Sequence, residues 1–324
     1  MSHTAPRILI HDRETSETVA RLSKSVPEAV IETHNSYDGL DAVMRAFKPD
    51  VAYVVAFKGR QGFPRDAYLG PDGPEWIAAG GAGVDHLVPW DTGSVTVTNS
   101  AGVAAGMIAE YTMGMFLHFL LDVRGLQADQ SAREWNGRRL VTPMQGKTML
   151  IVGLGQNGQA VAARAKAFGV HVIGTRAHPT DMDNVDEVHP ADALPDLWHR
   201  ADFIVIATPL VPSTRALVDA RAFAKMKPSA LLVDISRGGV VDGAALINAM
   251  RANAIAGAAL DVFETEPLPI DSPIWTLPNV IVSPHCSGVY AEWTMQSFDL
   301  FLENLRRWQA NQPLNNIVDP ERGY

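Results

Sequence analysis

Cysteine is almost absent from this 324-residue chain, in which Cys286 is the only one. A single thiol excludes an intramolecular disulfide and a cysteine-built zinc site, and it fits a reducing compartment. Basic residues are also in the minority, 27 against 36 acidic, for a formal net charge of −9. That balance argues against a protein that holds nucleic acid by neutralising phosphates. The N-terminal apolar stretch, residues 8–10, is too short for a secretory h-region, so the expected location is the cytoplasm. One apolar run is long, residues 101–121 (AGVAAGMIAEYTMGMFLHFLL). It has the length of a bilayer span, but Glu110 sits near its middle and His118 beyond it. Charge at that depth is costly, so the expectation is a buried core helix and no membrane partner. Internal repeats and long linkers are absent as well.

What the chain does have is 47% hydrophobic residues over a length that suits about two domains. The apolar residues come in short continuous runs: RILIH (7–11), VAYVVAF (51–57), VTVT (95–98), TMLIV (148–152), VHVIG (170–174), FIVIA (203–207), ALLVD (230–234), AGAALD (256–261) and VIVS (280–283). Runs without alternation mark strands buried on both faces, as in parallel sheets covered by helices. Helical segments separate them: 158–168, ending at Gly169, 243–253, and a C-terminal 291–309 whose Trp293, Phe298, Phe301, Leu302, Leu305 and Trp308 form a core-facing stripe. The fold class is therefore α/β and doubly wound. The residues alone do not say which half the last helix joins.

Residues 153–158 read Gly153-Leu154-Gly155-Gln156-Asn157-Gly158. G-x-G-x-x-G is weak evidence by itself, but here it follows an apolar strand and opens an Ala-rich helix, the context in which it cradles a dinucleotide. Gly153 allows the tight turn, Gly155 lets backbone approach a pyrophosphate, and Gly158 allows close helix–strand packing. The helix N-terminus then offers N–H groups and a positive dipole end to the phosphates. About 20 residues on, where an acid would read the ribose of NAD, the sequence gives Gly174-Thr175-Arg176. A guanidinium suits a 2′-phosphate. Arg176, with Thr175 and His178 beside it, therefore predicts a preference for NADP(H). NAD(H) stays open if Arg176 is only a solvated loop arginine.

Three further runs end in ionisable residues: Asp234-Ile235-Ser236-Arg237, Asp261-Val262-Phe263-Glu264-Thr265-Glu266, and Ser283-Pro284-His285. Ligands of open parallel sheets bind at the carboxyl ends of strands, so Arg237, Glu266 and His285 are candidates to converge on one crevice.

With these segments assembled, the sequence resembles the D-isomer-specific 2-hydroxyacid dehydrogenase family. The matching stretches are GGAGVDHL (80–87), AEYTMGMFL (109–117), GKTMLIVGLGQNG (146–158), ATPLVPSTRALV (207–218), MKPSALLVDISRGGVVDGAAL (226–246), AGAALDVFETEPLP (256–269) and LPNVIVSPH (277–285). The resemblance implies that Arg237 binds the substrate carboxylate and polarises its carbonyl, that His285 is the general acid of reduction, and that Glu266 holds the imidazole and favours its protonated form. Glu264 competes for that last role, but the resemblance favours the glutamate directly before proline. Amides of Ala82 and Gly83 are implied to hold the substrate carboxylate. Asp261 is implied at the nicotinamide side, and Thr208, Pro209, Ile235 and Ser236 at the nucleotide. No metal is implied.

The family also implies a Rossmann dinucleotide-binding domain, residues 101–285, inserted in a flavodoxin-like α/β substrate domain formed by 1–100 and 286–324. It implies a cleft between them that closes over substrate, and a homodimer with the 101–121 helix at its interface. Cys286 stands where the family usually has an aliphatic residue and reads as a packing residue. Gln156-Asn157 replaces a more usual arginine-containing pair. The missing acid near 175 points to the glyoxylate/hydroxypyruvate reductase-like branch. The first 75 residues match only loosely, with substrate contacts expected around Phe57, Lys58 and Gly59. The expected activity is hydride transfer between NADP(H) and a small 2-keto or 2-hydroxy acid. Alternatives on the same fold are a nucleotide-sensing corepressor-like binding protein and a formate- or phosphite-type dehydrogenase.

Overall fold

The computed structural model describes residues 5–56 and 62–323. Two compact units divide the chain: residues up to Val103 together with those from Tyr290 onward, and Ala104–Val289. The first holds a five-stranded parallel sheet of order β2-β1-β3-β4-β5, with β1 Arg7–His11, β2 Val30–His34, β3 Val51–Val54, β4 Trp76–Ala79 and β5 Thr96–Thr98. The central strands β3 and β4 are buried throughout, as two-sided helix cover requires. Helices α1 Ser16–Ser25, α2 Leu40–Phe47 and α3 Arg65–Leu69 connect them. The C-terminal helix, Trp293–Gln309, belongs to this unit and buries Phe298, Phe301, Leu302 and Leu305. The rings of Phe298 and Phe301 each lie 5.1 Å from that of Tyr53 on β3.

Two strands of this unit carry no strong sequence signal. Strand β2 is an edge strand, VIETH, with only partial burial, so it needs no apolar run. Strand β4 is central, but its four residues, WIAA, are too few to stand out.

The second unit is a seven-stranded parallel sheet of order β12-β11-β10-β9-β6-β7-β8. Its strands are β6 Thr148–Val152, β7 His171–Thr175, β8 Glu187–His189, β9 Phe203–Ile206, β10 Leu231–Asp234, β11 Gly257–Leu260 and β12 Val280–Val282. Edge strand β8, EVH, is mostly polar and was not expected. Helices α4 Ala105–Leu120 and α6 Gln156–Ala167 pack on the sheet, α5 Val123–Ala132 follows α4 with no buried residue, and α7 Leu194–Leu197, α8 Ala220–Lys225 and α9 Gly243–Arg251 complete the layers. The expected 101–121 helix begins only at Ala105, because Gly102 is left-handed, at φ +94°, and turns the chain first. No helix among the described residues is long and apolar enough to cross a membrane.

Truncating a fully buried ring leaves a cavity as well as removing burial. Phe298→Ala should therefore lower the stability of the first unit by about 3–5 kcal/mol, read by chemical denaturation; a loss below about 1 kcal/mol would contradict this packing.

Candidate active site

The order of the second sheet reverses beside β6, whose neighbours are β9 and β7. At such a switch point the loops after adjacent strands diverge and leave a crevice. Gly153 leaves β6 at φ +105°, and a Cβ there would lie 2.8 Å from the Ala207 carbonyl oxygen at the end of β9. A Cβ on Gly158 would meet the Gly153 carbonyl oxygen at 2.1 Å. Around Gly155 a Cβ would meet nothing within 4 Å. The outer glycines are thus forced by packing, whereas the middle one borders open space at the start of α6. Gln156, Asn157 and Gly158 form the first turn of that helix, where amides lack intrahelical acceptors. Free amides at an open helix start could hold a pyrophosphate.

Thr175 ends β7 and is buried, so its backbone serves the turn: its carbonyl accepts from the Leu154 amide at 2.9 Å. Arg176 follows, half-buried, with Nη1 3.4 Å from Thr180 Oγ1 and 3.6 Å from Met182 Sδ. Among the described residues no carboxylate pairs with it. Thr208 and Pro209 are half-buried at the carboxyl end of β9. Ile235 and Ser236 are buried, and the Ser236 hydroxyl is engaged with Asp234 at 2.5 Å.

The loops after β10, β11 and β12 carry Arg237, Glu266 and His285. A Cβ on Gly238 would lie 1.9 Å from the Phe263 carbonyl oxygen, so glycine is what lets the Arg237 loop touch the Glu266 loop. Glu266 Oε1 accepts from the Phe263 amide and Oε2 pairs with His285 Nδ1, both at 2.9 Å. Held through Nδ1, the imidazole is left with Nε2 as its reactive edge. Arg237 Nη1 donates to the Ser236 carbonyl at 2.7 Å. Burial pulls the Arg237 pKa down, while the negative charges of Glu266 and Asp234 oppose that pull; a guanidinium remains charged under it. The described residues thus bring Arg237, Glu266 and His285 to one edge of one sheet. Glu264 instead faces Arg215, at 3.8 Å.

Asp261 plays a part that its motif does not reveal. It is 0% exposed. Its Oδ1 accepts from Ser283 Oγ at 2.5 Å and the Cys286 amide at 2.9 Å, and its Oδ2 accepts from the Ser287 amide at 2.9 Å. Expected at the nicotinamide side, it spends both oxygens on the loop that carries His285. That loop needs an anchor, since His285 sits at φ +53°, a conformation unfavourable for a residue with a Cβ. Tyr111 of α4 extends the chain, its hydroxyl 2.6 Å from Ser283 Oγ. Tyr111 and Ser283 lie 172 positions apart, and no spacing rule connects them. Cys286, expected to pack, is exposed.

Ala82 and Gly83 belong to the other compact unit, in the loop after β4, where Ala82 is exposed and Gly83 partly so. Phe57, Lys58 and Gly59 lie outside the described residues. Among the described residues no group of three or more His, Cys, Asp or Glu side chains is arranged to hold a metal ion.

Comparison with known proteins bears on this geometry. The family model described as D-isomer specific 2-hydroxyacid dehydrogenase, NAD binding domain, matches residues 113–287. A D-3-phosphoglycerate dehydrogenase of Methanocaldococcus jannaschii is 34% identical over 250 residues, covering 75% of this chain but 47% of the relative, so the chain spans about half that protein's length. A glyoxylate reductase of Korarchaeum cryptofilum is 33% identical over 237 residues, 70% of either chain. Among solved structures, an NADPH-dependent glyoxylate/hydroxypyruvate reductase from Sinorhizobium meliloti, in complex with NADP and sulfate, superposes with a TM-score of 0.81 at 27% identity, covering 99% of this chain and all of that one.

Asp234, directly under the Arg237 loop, yields a pH test. Burial pushes its carboxyl up to about 7 from an ordinary 3.8, with Ser236 donors opposing and Asp261 reinforcing the shift. A raised folded-state pKa means the native state holds a proton that the unfolded state has lost. Stability therefore falls as pH rises between about 4 and about 7. Asp234→Asn keeps an acceptor for Ser236 and removes the titration. Its stability relative to wild type should rise between pH 5 and pH 8 in denaturant titrations; an identical difference at both pH values would refute the shift.

Proposed function

The chain belongs to the D-isomer specific 2-hydroxyacid dehydrogenase family, and we propose that it is an NADPH-dependent reductase of small 2-keto acids such as glyoxylate or hydroxypyruvate. The observation that carries the reading is the Glu266–His285 pair, closed at 2.9 Å on the loops beside Arg237. In this reading the unit Ala104–Val289 is the dinucleotide-binding domain and the remainder is the substrate domain.

Arg237 binds the carboxylate of the keto acid and draws electron density from its carbonyl, which makes carbon 2 more electrophilic. The nicotinamide, when bound, supplies the hydride that this carbon accepts. His285 gives the proton on Nε2 to the carbonyl oxygen as negative charge develops there. Glu266, through Nδ1, keeps the ring oriented and stabilises its cationic form. Asp261, in its place behind the loop, keeps His285 in its left-handed backbone conformation. Gly153, Gly155, Gln156, Asn157 and Gly158 hold the pyrophosphate, and Arg176 pairs with the 2′-phosphate. The 2′-phosphate assignment draws support from the missing acid at this position and from the NADP named with the Sinorhizobium meliloti reductase.

A homodimer belongs to the same proposal. The stretch from α5 to β6 holds Leu126, Trp135 and Leu140 at 47%, 99% and 90% exposure, apolar surface of the kind that a second copy covers. Sedimentation should return the mass of two chains.

Purified protein should oxidise NADPH with glyoxylate or hydroxypyruvate, followed by loss of nicotinamide absorbance; silence across a panel of 2-keto acids would end the proposal. His285→Ala should lower kcat by about 10²- to 10⁴-fold and leave NADPH binding intact. Arg176→Ala should weaken NADPH by roughly ten-fold or more, the worth of a charge-assisted pair, while sparing NADH. Equal losses for both nucleotides would remove the 2′-phosphate role.

A further inference from the structure

From the last residue of β4 the chain runs Ala79-Gly80-Gly81-Ala82-Gly83 and leaves the sheet, and four consecutive carbonyls take donors from outside β4. Each has found a donor. The Ala79 carbonyl accepts from Ser100 Oγ at 3.1 Å, and that of Gly80 from Ser297 Oγ at 2.7 Å. Gly81 accepts from the Ser100 amide at 3.0 Å, and Ala82 from Asn99 Nδ2 at 2.8 Å. The two serine hydroxyls lie 2.8 Å apart, and Tyr53 of β3 completes the set with its hydroxyl 3.1 Å from Ser297 Oγ. Asn99 is itself fixed, because its amide donates to the Asn316 carbonyl at 3.1 Å and its own carbonyl accepts from Asn316 Nδ2 at 3.2 Å. Ser100, Ser297 and Asn99 are all buried.

The consequence follows from peptide geometry. In a trans peptide the N–H of one residue points opposite to the C=O of the residue before it. With the carbonyls of Gly80, Gly81 and Ala82 tied inward, the N–H groups of Gly81, Ala82 and Gly83 point outward together. None of these three amides has an acceptor among the described residues. Successive outward N–H groups form an anion-binding concavity.

We propose that Asn99, Ser100 and Ser297 are positioning residues for substrate, and that by holding four carbonyls inward they aim three amides, Gly81 as well as Ala82 and Gly83, at the substrate carboxylate. The C-terminal helix thereby enters the reaction through Ser297, nearly 200 residues from Ser100. A buried hydroxyl is a costly choice for packing alone, since an alanine would bury without a donor to satisfy. Gly80 reinforces the point, for a Cβ there would lie 2.9 Å from the Tyr53 hydroxyl oxygen and displace it. The inference rests on the proposed 2-keto acid activity.

The test is a split between substrate and cofactor constants. Ser297→Ala and Asn99→Ala should each raise KM for glyoxylate by about ten-fold, the loss of one charge-assisted hydrogen bond, with KM for NADPH held within about two-fold. Ser297→Thr, which keeps the hydroxyl, should recover most of the affinity. Should Ser297→Ala fail to fold, Tyr53→Phe, which deletes one oxygen, is read in the same way and should raise KM in the same direction. A purely structural role predicts lower melting temperatures with unchanged KM, and that result overturns the inference while leaving the activity standing. If the wild-type protein turns over no 2-keto acid, the proposed function fails instead. The inference is then judged by calorimetry with oxalate, which should bind wild type and bind Ser297→Ala at least about five-fold more weakly; equal affinities overturn it.

Discussion

Every strand of the seven-stranded sheet runs in the same direction, and that constraint arranges everything else in its unit. Parallel pairing forces the chain to cross back to the opposite edge before each new strand, through a helix for most strands and through an irregular segment between β7 and β8. Each strand therefore ends in a loop at the same, carboxyl edge of the sheet. Gly153 follows β6, Arg176 β7, Thr208 β9, Arg237 β10, Asp261 β11 and His285 β12. Residues spread over more than 130 positions thus meet by topology, and the loops need only local devices to bring them into register. Those devices are visible: Gly238 permits backbone contact with Phe263, and Asp261 ties down three donors around His285.

Electrostatics adds a second demand. The chain carries a formal net charge of −9, yet the proposed substrate and cofactor are both anions. At physiological ionic strength surface charge is screened within about 8 Å, so the overall excess matters less than the groups lining the site. Cationic side chains are sparse there: Arg237, lowered in pKa by burial, and Arg176, without a carboxylate partner among the described residues. Much of the remaining attraction falls to backbone amides, which carry no formal charge and do not repel each other as clustered cations would.

The buried strands were legible because parallel sheets demand continuous apolar runs, and most of the nine runs lie within a residue or two of a strand; the run at 51–57 overshoots β3, which ends at Val54. The strands missed were β2 and β8, whose edge positions let them stay polar, and β4, whose four residues are too few to read as a run. Arg237, Glu266 and His285 stood out as ionisable residues after such runs. Tyr111, Ser283, Ser100 and Ser297 did not, because a hydroxyl that satisfies a distant carbonyl or carboxylate has no sequence period and no fixed spacing. Asp261 was noticed for its motif, while its work as a loop anchor depends on amides that sequence does not show. Cys286 reads as packing because the resemblance puts an aliphatic residue there and hydride transfer needs no nucleophile, yet it is exposed, its amide held by Asp261.

The same logic recurs in both units and explains why the binding surfaces were hardest to read. At α6 the helix geometry turns carbonyls away and leaves the amides of Gln156, Asn157 and Gly158 at an open end. After β4 no helix exists to do this, so side chains from β5's exit and from the C-terminal helix capture the carbonyls of Gly80 and Ala82 one at a time. In the first case a glycine pattern betrays the device, since close approach excludes a Cβ. In the second, under the proposed reading, the recognising atoms are backbone, and the residues that orient them touch no ligand. Side-chain identity at 81–83 is then free to be small, and the chemical information lies in Asn99, Ser100 and Ser297, whose burial would otherwise pass for core packing.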